Sequence, residues 1–133
     1  MCKKCFIKSI EYKAKRTISK YSMIKHGDTV AVAVSGGKDS LVLLNILKNT
    51  FSGPRPELVA ITVDEGIKGY RDESLSIVKN FCSSIGVENK VMSFNELFGL
   101  SMDKAMEVRP SEKISSCTVC GTFRKRAIDL LAE

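Results

Sequence analysis

Residues 29–34 read Thr-Val-Ala-Val-Ala-Val, and the chain turns at once through Ser35-Gly36-Gly37-Lys38-Asp39-Ser40 into Leu41-Val-Leu-Leu-Asn-Ile-Leu-Lys48. No other feature constrains the fold as much. A run apolar at every position reads as a strand buried on both faces. The glycine pair permits a tight reversal, and the run from Leu41 has the composition of a buried helix. A strand, a glycine turn and a helix in that order open a parallel α/β unit, because parallel strands need a long crossover between them.

The rest of the chain continues the alternation. Leu58–Val63 reads as a second buried strand ending at Asp64-Glu65-Gly66, and Asn89–Phe94 as a third, shorter one. Apolar spacing predicts helices over about Phe6–Tyr21, Glu73–Ile85, Ser101–Val108 and Thr118–Ala132, with Ser52–Pro56 as a loop. The fold class expected is α/β, a parallel sheet with helices on both faces. Ligands on such sheets bind beyond the carboxyl ends of the strands, so the glycine turn and Asp64 should share one rim.

A chain of 133 residues and 14.7 kDa is the size of one domain. At 44% hydrophobic and 27% charged it is not a disordered tail. No apolar run approaches the ~18 residues of a membrane span. Met1-Cys2-Lys3-Lys4-Cys5 is basic with no apolar run behind it, unlike a secretory signal. A soluble, cytoplasmic domain with no membrane partner is expected.

Charge is uneven. Residues 1–25 carry eight basic side chains and one acid, Glu11, a net of +7; the whole chain is +6, which leaves residues 26–133 at −1. This divides the chain into a basic N-terminal helix, 1–26, and an α/β part, 27–133. The asymmetry points to a polyanionic partner, nucleic acid before membrane, with the run Arg124-Lys125-Arg126 as a later addition. A solvated basic helix face is the alternative.

Four of the five cysteines fall in two Cys-x-x-Cys pairs, Cys2/Cys5 and Cys117/Cys120. Without an export signal, paired thiols read as metal ligands or redox centres before disulfides. Cys82 lies on the apolar side of its helix and reads as structural. A thioredoxin-type pair should follow the first strand of its fold, whereas Cys117/Cys120 follow the third.

The glycine turn carries the clearest chemistry. Its backbone N–H groups can approach an anion closely, and the following helix adds its positive end. Lys38 supplies a point charge, Ser35 and Ser40 supply hydroxyls, and Asp39 beside bound phosphates suits a Mg²⁺ ligand. The Walker A pattern is excluded, since Val32 stands where it needs glycine and Asp39 where it needs Ser or Thr. Asp64 reads equally well as a site residue and as a cap of the Gly66 turn. Glu65 reads as solvated.

Ser-Gly-Gly-Lys-Asp-Ser after a Val/Ala strand resembles the PP-loop of the ATP pyrophosphatases, which cleave ATP between its α- and β-phosphates. Thr62-Val-Asp-Glu-Gly-Ile-Lys-Gly-Tyr-Arg-Asp-Glu-Ser74 and Cys117-Thr-Val-Cys-Gly-Thr-Phe-Arg-Lys-Arg126 extend the resemblance to the tRNA 2-thiolation enzymes of the TtcA/TtuA group. It covers nearly the whole chain. It implies an adenine-nucleotide alpha-hydrolase-like, Rossmann-like fold and an ATP-dependent tRNA sulfurtransferase. ATP and Mg²⁺ would sit at Ser35, Gly36, Gly37, Lys38, Asp39 and Ser40, with Asp64 beside them. Lys38, Asp39, Cys117 and Cys120 would act in catalysis, and Cys117 and Cys120 would be two of three cysteines holding a [4Fe-4S] cluster. The partners implied are tRNA, a sulfur donor such as a ubiquitin-like carrier protein, and a second copy or complementary C-terminal chain.

Two departures from the group's pattern stand out. Cys2 and Cys5 match only the second of two pairs that make a zinc site, and zinc normally takes four ligands. The third cluster cysteine and a fourth strand are not found before Glu133. A truncated or split protein is the expectation. A lysidine-type PP-loop ligase, which has no need of the cysteine pair, and an inactive nucleotide- or tRNA-binding fragment are the alternatives.

Overall fold

The computed structural model describes residues 1–51, 56–67 and 71–133. Residues 52–55 of the loop expected over Ser52–Pro56, and residues 68–70 of the second motif, lie outside the described residues. Among the described residues three strands, β1 (Thr29–Ala33), β2 (Glu57–Asp64) and β3 (Glu88–Ser93), form one parallel sheet in the order β1-β2-β3. Ala33 is paired with Ile61 and Asp64 with Ser93, so the strands end along a common carboxyl edge. Among the described residues six helices accompany them: α1 (Lys3–Lys20), α2 (Lys38–Thr50), α3 (Arg71–Ile85), α4 (Phe94–Phe98), α5 (Met102–Glu107) and α6 (Ser116–Ala132).

Side chains alternate across a strand, and the two faces of this sheet carry two separate cores. Val32, Val34 and Ala60 meet Leu44 and Leu47 of α2 and Val78 and Cys82 of α3, with Ile18 of α1 packed at the edge. On the opposite face Val63 packs with Phe94 of α4, Met102 of α5 and Ala127 of α6. Phe94, Phe98 and Phe123 join that core with ring centroids 4.8–5.7 Å apart, Phe98 edge to face with the other two and Phe94 tilted on Phe123.

Three expectations need correction. β1 is buried on one face only: Val32 is covered while Ala31 and Ala33 are exposed, because α6 packs chiefly against β2. The α2 helix is likewise buried along Leu44 and Leu47, with Val42 and Leu43 facing solvent. The third strand stops at Ser93, which caps an unanticipated helix, α4. Ser93 Oγ accepts from Glu96 N, and the Glu96 carboxylate accepts from Ser93 N, the two halves of a capping box.

Candidate functional site

The turn after β1 is built from short hydrogen bonds. Ser40 Oγ donates to the Gly37 carbonyl at 2.9 Å and accepts from Ser35 N at 3.3 Å, while Ser35 Oγ accepts from Gly37 N at 3.4 Å. Gly36 has φ +88°, the left-handed region that glycine adopts without strain. Gly37 is the N-cap of α2 and has no side chain with which to cap it, so the first-turn N–H groups face outward. Those groups and the helix dipole make an anion cradle. Lys38 and Asp39 project into solvent at its mouth, 87% and 94% exposed, with 3.6 Å between Nζ and Oδ1.

β2 ends beside this cradle. Asp64 Oδ1 accepts from Gly66 N at 2.9 Å, which makes Asp64 a turn-forming residue, and Gly66 has φ +69°. The Glu65 carbonyl accepts from Met102 N at 2.9 Å and ties the turn to α5.

The Glu65 side chain departs from expectation. It is 1% exposed, not solvated. Arg124 Nε donates to Glu65 Oε1 at 3.0 Å, and Nη2 lies 2.8 Å from the same oxygen. Nη2 also donates to Cys120 Sγ at 3.1 Å. Arg124, its side chain half exposed, turns its guanidinium to Glu65 and Cys120, while Lys125 and Arg126 are exposed beside it.

Ser115 caps α6 by accepting from Thr118 N, which places Cys117 and Cys120 in the first two turns, three residues apart on one side of the helix. Both line a cavity of about 410 Å³ whose walls include Ile67, Met102, Met106 and Arg124. Arg124 also lines a second cavity of about 60 Å³, together with Ser35, Ile61 and Val63. The structure thus brings Ser35–Ser40, Asp64, Cys117 and Cys120 to one rim of the sheet.

Cys2 and Cys5 are elsewhere. They are exposed at the start of α1, whose Ile18 packs in the core on the other side of the sheet from α6. Cys2 Sγ accepts from Cys5 N at 3.4 Å, and this hydrogen bond holds the Cys2 thiol below its ordinary range. The Cys5 thiol is raised by its side-chain hydrogen bond to Cys2. Among the described residues no group of three His, Cys, Asp or Glu side chains is arranged to hold a metal ion. Each cysteine pair brings two soft donors within three residues of each other.

Residues 7–109 match the PP-loop domain. The chain belongs to the PP-loop domain family. It is 42% identical over 131 residues to the cytoplasmic tRNA 2-thiolation protein 1 of Drosophila melanogaster and of Drosophila erecta, which covers 97% of this chain and 38% of those relatives. The chain therefore spans well under half the length of the curated relatives it matches. Among solved structures it is similar to the U34-tRNA thiolase NcsA from Methanococcus maripaludis with its [4Fe-4S] cluster, at 33% identity and a TM-score of 0.82, over 98% of this chain and 42% of that one. A likeness to the NH3-dependent NAD synthetase from Campylobacter jejuni, at 17% identity and a TM-score of 0.64, shows the shared PP-loop fold alone.

Glu65 is the site residue expected in solvent and found buried, and Arg124, read only as part of a basic helix surface, is its half-exposed partner. A charged residue between Asp64 and Gly66 gives no periodic signal of burial, and its cation lies 59 residues further on.

Proposed function

We propose that this PP-loop domain takes part in ATP-dependent tRNA 2-thiolation in the cytoplasm. It would supply the nucleotide site and two thiols of the sulfur site. The observation that carries this is the sharing of one side chain by two cavities: Arg124 lines both the one beside Ser35 and the one holding Cys117 and Cys120. Activation and sulfur delivery must act on one carbon, so their sites must adjoin. The similar proteins named for tRNA thiolation support the same reading.

The chemistry follows from leaving-group ability. The C2 oxygen of a pyrimidine attacks the α-phosphorus of ATP, and pyrophosphate departs. Sulfur then bonds to C2, and the C–O bond breaks to release AMP carrying that oxygen. The glycine turn, the uncapped start of α2 and Lys38 would bind the pyrophosphate and stabilise its developing charge. Asp39, almost fully exposed at the cradle, is available to bind Mg²⁺. Cys117 and Cys120 suit a [4Fe-4S] cluster in donor chemistry and number two of the thiolates required, the rest of the set coming from outside the described residues. Such a cluster would bind and present sulfide. Cys2 and Cys5 would give half of a zinc site on α1, and a ubiquitin-like carrier protein is the sulfur donor we favour. The basic residues of α1 would hold tRNA phosphates, which makes 1–26 a distinct functional segment. A second copy or a complementary chain would complete the assembly.

The test is nucleotide turnover with tRNA and sulfide under anaerobic conditions. AMP and pyrophosphate should form in a tRNA-dependent way, and thiolated nucleoside should be detected by mass spectrometry. Lys38→Ala should weaken Mg·ATP binding at least about tenfold, the loss of one charge-assisted contact. Nucleotide and tRNA binding without turnover would reduce the chain to a binding module, and turnover indifferent to sulfide would favour a ligase. Equal ATP affinity in wild type and Lys38→Ala would overturn the assignment of the phosphate loop.

A further inference from the structure

Glu65 is the one charged side chain among the described residues buried to 1% exposure. A carboxylate removed from water must be matched by a cation in good geometry. Here the cation is Arg124, whose Nε and Nη2 both converge on Oε1, at 3.0 and 2.8 Å. The guanidinium is planar, so fixing two of its nitrogens on one oxygen sets the plane of the whole group. That plane directs Nη2 to Cys120 Sγ at 3.1 Å. The anchor is itself held: the Glu65 carbonyl accepts from Met102 N, and the following Gly66 N donates to Asp64 Oδ1 and closes the turn.

We propose that Glu65 is a positioning residue of the thiol site: its buried carboxylate orients Arg124, and Arg124 fixes the Cys120 sulfur beside Cys117. The same fork keeps a cation on the wall shared by the two cavities. The inference rests on the reading that Cys117 and Cys120 form a metal-binding pair. Partners beyond the ligands commonly act this way, orienting a donor before the metal arrives.

Cadmium, a thiophilic ion without redox chemistry, is the probe. Titrations use the full chain carrying Cys2→Ser and Cys5→Ser, so that sulfur-to-metal absorbance reports Cys117 and Cys120. Glu65→Gln should weaken Cd²⁺ binding roughly tenfold, and Arg124→Met by a similar factor. Adding Glu65→Gln to Arg124→Met should cost nothing further, since Glu65 acts through Arg124. Arg124→Lys should not restore affinity, because a single ammonium cannot meet both partners in the same plane. An unchanged affinity in Glu65→Gln, or an equal loss in both backgrounds, overturns the proposal. Should Glu65→Gln fail to fold, Arg124→Met and Arg124→Lys decide it, since that side chain is half exposed. In the metal-free chain, the Arg124 Nε–H resonance should persist at neutral pH and vanish in Glu65→Gln; its absence from the unmutated chain also overturns the proposal. Cd²⁺ absorbance that survives Cys117→Ala would defeat the metal-site reading instead, and the Nε–H resonance would still decide whether Glu65 holds Arg124.

Discussion

Gly36 and Ser74 meet at a distance that admits no side chain: a Cβ on Gly36 would lie 2.8 Å from Ser74 Cβ and 3.0 Å from the Ser74 carbonyl oxygen. The glycine turn is therefore packed against the first turn of α3, and its bare backbone is what allows the approach. With φ at +88°, Gly36 is held there by conformation as well as by space.

Gly36→Ala should accordingly destabilise the fold by about 1–3 kcal/mol for backbone strain alone, with displacement of Ser74 adding to it. Gly37→Ala is the internal control. Its Cβ would meet nothing nearer than Ser35 Oγ at 3.5 Å, an ordinary contact, and its φ is −71°. It should cost less than about 1 kcal/mol, the loss of a preferred N-cap residue. Urea denaturation of the two variants checks this, and equal losses would show that Gly36 is not specially constrained.

How much was legible beforehand differs from residue to residue. The Val/Ala strand, the glycine turn and the second strand were readable because local composition and local structure coincide there. β1 was expected to be covered twice, and its exposed Ala31 and Ala33 show why composition misleads: small residues tolerate burial without requiring it. The α4 helix was written in Ser93-Phe-Asn-Glu96, a capping-box pattern hidden by an apolar run that also suits a strand. Glu65 and Arg124 were not readable at all. Each looks like a surface charge, and only the fold brings them within 3.0 Å.

The basic face of α1 is tested by salt. Lys13, Lys15 and Arg16 are exposed, so each can release a counterion on binding tRNA. Replacing all three with Ala should flatten the slope of log affinity against log salt by up to about 2–3. Filter binding across a salt series measures it. An unchanged slope would make α1 a merely solvated helix.

The capping box makes α4, and through it the seat of α6, sensitive to acid. The Glu96 carboxyl is held below its ordinary range, chiefly by the backbone N–H of Ser93 and then by the Ser93 hydroxyl. Its folded pKa is thus below its unfolded one, so its stabilisation is complete above the unfolded value and is lost as pH falls through the folded one. Glu96→Ala should lower Tm at pH 7, and the deficit should shrink below about pH 4. Since Phe94 packs on Phe123, three residues after Cys120, the same variant should loosen the first turns of α6. A Tm deficit that is constant with pH would remove the carboxylate from the account.

A [4Fe-4S] cube is fixed to protein by several thiolates. The rim offers two, Cys117 and Cys120, in one cavity. Cys82 is 1% exposed in the core on the other face of the sheet, where burial raises its thiol above the ordinary range. Cys2 and Cys5 belong to α1. Anaerobic reconstitution of this 133-residue chain should therefore leave far less iron than a complete cube, and that iron should be removed readily by a chelator. Cys117→Ala or Cys120→Ala should abolish it, whereas Cys82→Ala should leave it unchanged. Iron analysis and the visible charge-transfer bands give the answer. A full, chelator-resistant complement would mean that the ligands are shared between two copies or that Cys82 leaves the core, and sedimentation of the loaded protein would distinguish these.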